Sequence, residues 1–94
     1  MPSIFKSAMR QSMSYGTLPE KAVFEQAFAE ECPDGVYQIR NCRELDAVYD
    51  GGNVDFDCEK LWAFLESACE AGEDNHDGYD VASSILYTLG FEWV

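Results

Sequence analysis

Eighteen acidic residues, four cysteines and a single histidine are the groups in this chain whose chemistry could go beyond packing. Acids and glycines between helices suggest calcium, which takes oxygen ligands from a twelve-residue loop with glycine at its sixth position. Placing Gly78 there sets Glu73, Asn75 and Asp77 at the first, third and fifth positions. Ser84 then stands at the twelfth, where a bidentate glutamate is required, and Asp80 falls where an apolar residue belongs. Placing Gly52 there puts Tyr49 and Gly51 in ligand slots and Cys58 at the twelfth, with Glu59 one residue late. Both loops fail at a ligand, and a metal-binding helical module is the third-ranked reading.

The thiols offer little more. Cys32, Cys42, Cys58 and Cys69 contain no CxxC pair, which speaks against a zinc ribbon or a thioredoxin-type site. Reduced thiols are expected, with a framework of two disulfides as the lesser alternative. A helix N-terminus at Cys58 favours thiolate, but Asp57 and Glu59 beside it oppose that, so a dyad with His76 lacks an activated nucleophile. His76 reads as a solvated residue of an acidic loop. Carboxylate pairs of the glycosidase kind must face each other across a groove, whereas these acids follow exposed helix positions and loop tips. No phosphate-binding glycine loop, GxSxG elbow or HExxH motif occurs. The expectation is a protein that is not an enzyme, with no catalytic residue, no cofactor and no metal site.

Charge is the stronger signal. The net charge is −12, and residues 44–94 hold thirteen acids against one base, Lys60. Such a field repels nucleic acid and anionic membrane and attracts basic protein surfaces. A direct nucleic-acid site would need a basic patch, for which only Lys6, Arg10, Lys21, Arg40 and Arg43 are at hand. No apolar run approaches the ~20 residues that span a bilayer, and the opening residues lack a signal-peptide pattern. A cytoplasmic protein is expected, in the host cytoplasm if it is viral.

The elements that carry these groups follow from periodicity. Residues 1–94 read as a single compact helical domain, mostly α, of four to five short helices. Its clearest element spans Asp55–Gly72. With Asp57 as cap, Cys58, Leu61, Trp62, Leu65, Ala68 and Cys69 share one side of a helix. At about 100° per residue, Glu59, Glu66, Glu70 and Glu73 fall within roughly 60° of one another on the neighbouring side. Gly72 is the natural stop.

Before it, Ser3 caps a helix from Ile4 to Tyr15, with Ile4, Phe5, Ala8, Met9, Ser12 and Met13 inward. A capping box, Thr17 to Glu20, opens a second helix that ends at Glu31 ahead of Cys32-Pro33-Asp34-Gly35. Gly35–Asn41 fits a strand and a helical continuation equally. As a strand, Val36–Arg40 has Phe91–Val94 as its partner, the one minor two-stranded β element the pattern offers. Asn41 caps a short helix to Tyr49 with Leu45, Val48 and Tyr49 inward, and Asp50-Gly51-Gly52-Asn53 breaks the chain. Asp77 caps the last helix, which buries Tyr79, Ala82, Ile85, Leu86 and Leu89 and stops at Gly90.

A ridge of carboxylates can imitate the phosphates of a nucleic acid strand. Along the Asp55–Gly72 helix, Glu59 to Glu66 is about 10.5 Å and Glu66 to Glu70 about 6 Å at 1.5 Å per residue. The expected contacts are Asp57, Glu59, Glu66, Glu70, Glu73, Asp74, Asp77 and Asp80. The expected partner is a basic protein surface, belonging to a nucleic-acid-binding complex. The expected state is monomer or homodimer. Phage and mobile-element inhibitors of restriction or CRISPR systems share this acidic character, a likeness of composition and not of motif. The alternative is an interaction or oligomerisation module anchored by Tyr79, Phe91 and Trp93, with the acids merely solubilising.

Overall fold

The computed structural model describes residues 9–94, in which α2 (Cys58–Ala71) is the longest helix. Asp57 precedes it in extended geometry and accepts the Lys60 N–H at 2.8 Å, satisfying one of the donors a helix start leaves open. Leu61 and Leu65 are fully buried and Ala68 nearly so, while Cys58, Trp62 and Cys69 lie half-buried on the flanks of that stripe. Removing each leucine from water contributes about 1.5–3 kcal/mol. Gly72, at φ 72°, ends the helix, a backbone conformation that costs glycine nothing.

Two aromatic side chains tie α2 to its neighbours in opposite directions. Trp62 meets Phe24 of α1 (Lys21–Glu31) with ring centroids 5.0 Å apart. Phe64 meets Phe56 of β3 (Val54–Phe56) at 5.4 Å. The third helix, α3 (His76–Thr88), buries Tyr79, Val81, Ala82, Ile85 and Leu86, with Leu89 buried just beyond its end. Gly90, at φ 101°, then turns the chain into β4 (Phe91–Trp93). Apart from Tyr79, which packs against Tyr15 and Trp93, the buried apolar residues among those described form one cluster.

Four short strands complete the fold in two separate pairs. β1 (Gln11–Met13) runs parallel to β4, Gln11 opposite Phe91 and Met13 opposite Trp93. β2 (Tyr37–Ile39) runs antiparallel to β3, Tyr37 opposite Phe56 and Ile39 opposite Val54. 3-10 turns occupy Arg43–Leu45, Asp50–Gly52 and Gly72–Asp74.

The class is mostly α as expected, but with three α-helices among the described residues where periodicity suggested four or five. Residues 1–8 of the expected Ile4–Tyr15 helix lie outside the described residues. Its later part is β1 instead, with Met9 and Ser12 exposed and Met13 buried. Pairing with β4 overrides a local preference worth only tenths of a kcal/mol per residue. α1 starts at Lys21, because the Thr17 hydroxyl donates to the Ser14 carbonyl at 2.6 Å and is not a cap; Glu20 takes the cap position without a side-chain bond.

The Val36–Arg40 segment contains a strand, yet its partner is β3 and not Phe91–Val94, which is taken by β1. Asn41 opens no helix. It sits at φ 57°, and its N–H donates to Asn53 Oδ1 at 2.9 Å, so the expected Asn41–Tyr49 helix is a 3-10 turn after Cys42. Val48 points outward, 71% exposed, while Leu45 is buried. The cap of α3 is Asn75, accepting the Gly78 N–H at 3.0 Å, in place of Asp77, which lies inside the first turn.

Candidate partner-binding surface

Cap, stripe and ridge on α2 are one geometric fact. Once Leu61, Leu65 and Ala68 face the core, Glu59, Glu66 and Glu70 must face outward, and all three are exposed. Lys60, the one base of residues 44–94, is exposed on the same helix about 100° further round from Glu59. Asp57 contributes its charge at the helix start while one oxygen holds the Lys60 N–H. Glu73 does not continue the ridge as periodicity predicted, since the helix ends at Ala71 and Glu73 lies in the following 3-10 turn.

The remaining candidates occupy other elements. Asp74 lies at the end of that turn, beside His76, Tyr15 and Tyr79 at a cavity of about 370 Å³. Asp77 and Asp80 are exposed on the outer side of α3. The eight acids therefore divide between the outer side of α2, the linking turn and the outer side of α3.

Few of these charges are neutralised internally. Arg10 binds Glu30 at 2.7 Å and Glu31 at 3.3 Å, and Arg40 binds Asp55 at 2.8 Å. Among the described residues, no ion pair involves Asp57, Glu59, Glu66, Glu70, Asp74, Asp77 or Asp80. An exposed carboxylate held by no cation keeps its attraction for an incoming one.

One further acid belongs with the start of α2. The Cys58 thiol is held above its ordinary value of 9.0 by burial first, then by the carboxylates of Glu25 and Asp57, with Lys21 opposing and Glu59 adding. Glu25 and Lys21 of α1 both act on this thiol, so α1 brings one acid and one base to the α2 N-terminus. Sequence reasoning missed Glu25, whose exposed position on α1 says nothing of which helix lies alongside. The same field keeps Cys58 protonated despite its place at a helix N-terminus. Burial likewise pushes the Cys69 thiol up. No group of three or more histidine, cysteine, aspartate or glutamate side chains among the described residues is placed to hold a metal ion.

The aromatic anchors of the alternative reading divide differently than expected. Tyr79 and Phe91 are buried, Tyr79 in edge-to-face contact with both Tyr15 and Trp93 at 5.2 Å. Trp93 is half-buried, its indole N–H donating to the Thr17 carbonyl at 2.7 Å. The exposed members of that region include Tyr15, Tyr87 and Val94. No helix among the described residues is long and apolar enough to cross a membrane. The chain matches no protein-family model, and it has no significant match among curated proteins or solved structures.

Proposed function

We propose that this is a non-enzymatic protein that binds a basic protein surface, its carboxylates standing in for nucleic acid phosphates and thereby inhibiting a nucleic-acid-processing partner. The observation that carries the reading is the outer side of α2, where Glu59, Glu66 and Glu70 are exposed, spaced along one helix and without an ion pair among the described residues. Asp57 adds its charge at one end of that helix, where α1 brings Glu25 together with Lys21. A fixed helix presents its charges without first ordering a chain, which lowers the entropic cost of binding. Anti-restriction and anti-CRISPR inhibitors of phage and mobile elements are the class of protein this reading names, acting in the host cytoplasm.

The test is affinity capture from cell lysate by the native chain and by a Glu66→Lys/Glu70→Lys variant, with duplex DNA as competitor. A basic partner retained by the native chain, released by DNA and lost with the variant is the expected result. Its retention should weaken steeply as salt rises, because attraction between exposed charges is screened within about 10 Å at 0.1 M ionic strength. Equal capture by both chains at all salt concentrations overturns the reading.

The exposure of Tyr15 and Val94 beside Trp93 favours a second reading, an aromatic docking module. Its test is Tyr15→Ser, which should abolish capture while charge reversal on α2 leaves it intact.

A further inference from the structure

Between β2 and α3 runs a groove of about 370 Å³, lined by the rims of the core residues Val81 and Ile85 and by Cys42 and Glu44. Tyr37, Gln38 and Ile39 all line it, and no residue of β3 does. Successive side chains of a strand point to opposite faces. Three in a row can therefore share a groove only when it follows the strand's edge.

That edge is open. Among the described residues β2 pairs with β3 alone. The carbonyls of Ile39 and Val54 both lie within reach of the Arg40 guanidinium, at 2.8 and 3.5 Å, so the Ile39 carbonyl faces β3. By the alternation of an antiparallel ladder, Gln38 turns its N–H and C=O the other way, towards the groove. Among the described residues nothing bonds them there. An open edge beside an apolar helix face is the geometry in which an extended segment adds as a further strand, its backbone bonding to the edge and alternate side chains entering the groove.

The rim indicates the chemistry of the occupant. Its charged groups are Glu44 and Asp80, and no base lines the groove. Arg40, the nearest base in sequence to β2, is turned away onto Asp55 of β3. We propose that this groove is a second binding site, independent of the carboxylates of α2, which takes an extended basic segment of a partner protein as a strand paired to β2. Apolar side chains of that segment rest on Val81 and Ile85, and lysine or arginine side chains reach Glu44 and Asp80.

The probe is an acetylated, amidated peptide alternating lysine and valine, added to the full chain and followed by amide hydrogen exchange and by titration. Exchange at Gln38 should slow by about tenfold or more on saturation, and the same peptide N-methylated at its valines should bind at least about tenfold more weakly. Ser84→Trp, an exposed position on the groove wall, should block binding, whereas Glu66→Lys/Glu70→Lys should leave the Gln38 protection in place. Absence of binding, equal binding of the N-methylated peptide, or a Gln38 amide already protected without peptide overturns the proposal. Binding that Ser84→Trp spares and α2 charge reversal removes also overturns it, while leaving the reading of the acidic ridge standing.

Discussion

Arg10 and Leu89 are 79 positions apart in the chain and joined by a 2.9 Å hydrogen bond, from the guanidinium Nε–H to the main-chain carbonyl. The other end of the same side chain holds Glu30 and Glu31 at the last turn of α1. A single planar fork therefore ties the residues before β1 to the end of α1 and to the turn leading into β4. Arg10→Ala should lower stability by about 1.5–3 kcal/mol, the usual worth of hydrogen bonds to a charged group. Arg10→Lys should recover little of it, because an ammonium cannot serve a carbonyl on one side and two carboxylates on the other. Urea denaturation of the three chains measures both.

Asp57 has a separable role at the start of α2. Asp57→Ala should cost about 1 kcal/mol by losing the cap, and Asp57→Ser should restore most of it. Thermal unfolding followed by circular dichroism tests this. Equal loss in both variants would show that charge, and not the cap bond, is what matters there.

Two glycines with similar φ should lose stability to different extents when replaced by alanine. Gly52, at φ 71°, lies against the main chain of Cys42, so a methyl group there would overlap its carbonyl and nitrogen. Gly72, at φ 72°, has nothing within 4 Å of the same position. Gly72, with ψ at −161°, lies in a region of positive φ that essentially only glycine adopts, so Gly72→Ala should cost about 1–3 kcal/mol from backbone strain alone. Gly52→Ala should cost more, about 3–4 kcal/mol, because a main-chain overlap is added to the strain of positive φ. Chemical denaturation midpoints decide it.

The thiols make stability fall in mild alkali. Cys58 and Cys69 are both held above 9.0 in the folded chain, by burial in each case and by the Glu25 and Asp57 carboxylates for Cys58. Below 9.0 folded and unfolded chains both keep these protons, and the stabilisation is intact. As pH rises through the folded-state values the unfolded chain releases its protons first, so stability declines. Urea midpoints measured upward from pH 8 should drop less in a Cys58→Ala/Cys69→Ala variant than in the native chain. Iodoacetamide should also modify the two thiols more slowly in the native chain than in urea.

What periodicity could read here was whatever one helix decides for itself. The span of α2, its Asp57 cap, its Gly72 stop and its buried stripe all follow from neighbours in sequence, and so does the inward set of α3. Partners far along the chain were not legible. Gln11–Met13 has helical spacing, and only β4 makes it a strand. Val54–Phe56 is short enough to pass for the approach to α2, and Tyr37–Ile39 was paired with the wrong segment because Phe91–Val94 looked like the better strand. At the site, exposure of Glu59, Glu66 and Glu70 was readable from the helix alone. The nearness of Glu25 depended on how α1 lies beside α2, and the groove along β2 depended on which edge β3 leaves open.

The parallel pairing of β1 with β4 has a consequence in time. It joins segments almost a full chain length apart, and the Trp93–Thr17 bond spans 76 positions in the same way. Closing so long a loop loses chain entropy before any contact rewards it, whereas the helices and the β2–β3 hairpin form from nearer neighbours. Ring closure is thus the late event of folding, and the two tryptophans stand on opposite sides of it. Trp62 against Phe24 reports the docking of α1 on α2, and Trp93 against Tyr15 and Tyr79 reports the closing of the ring. Stopped-flow fluorescence of Trp62→Phe and Trp93→Phe chains should resolve a later and an earlier signal respectively, turning two half-buried tryptophans into clocks for two stages of assembly.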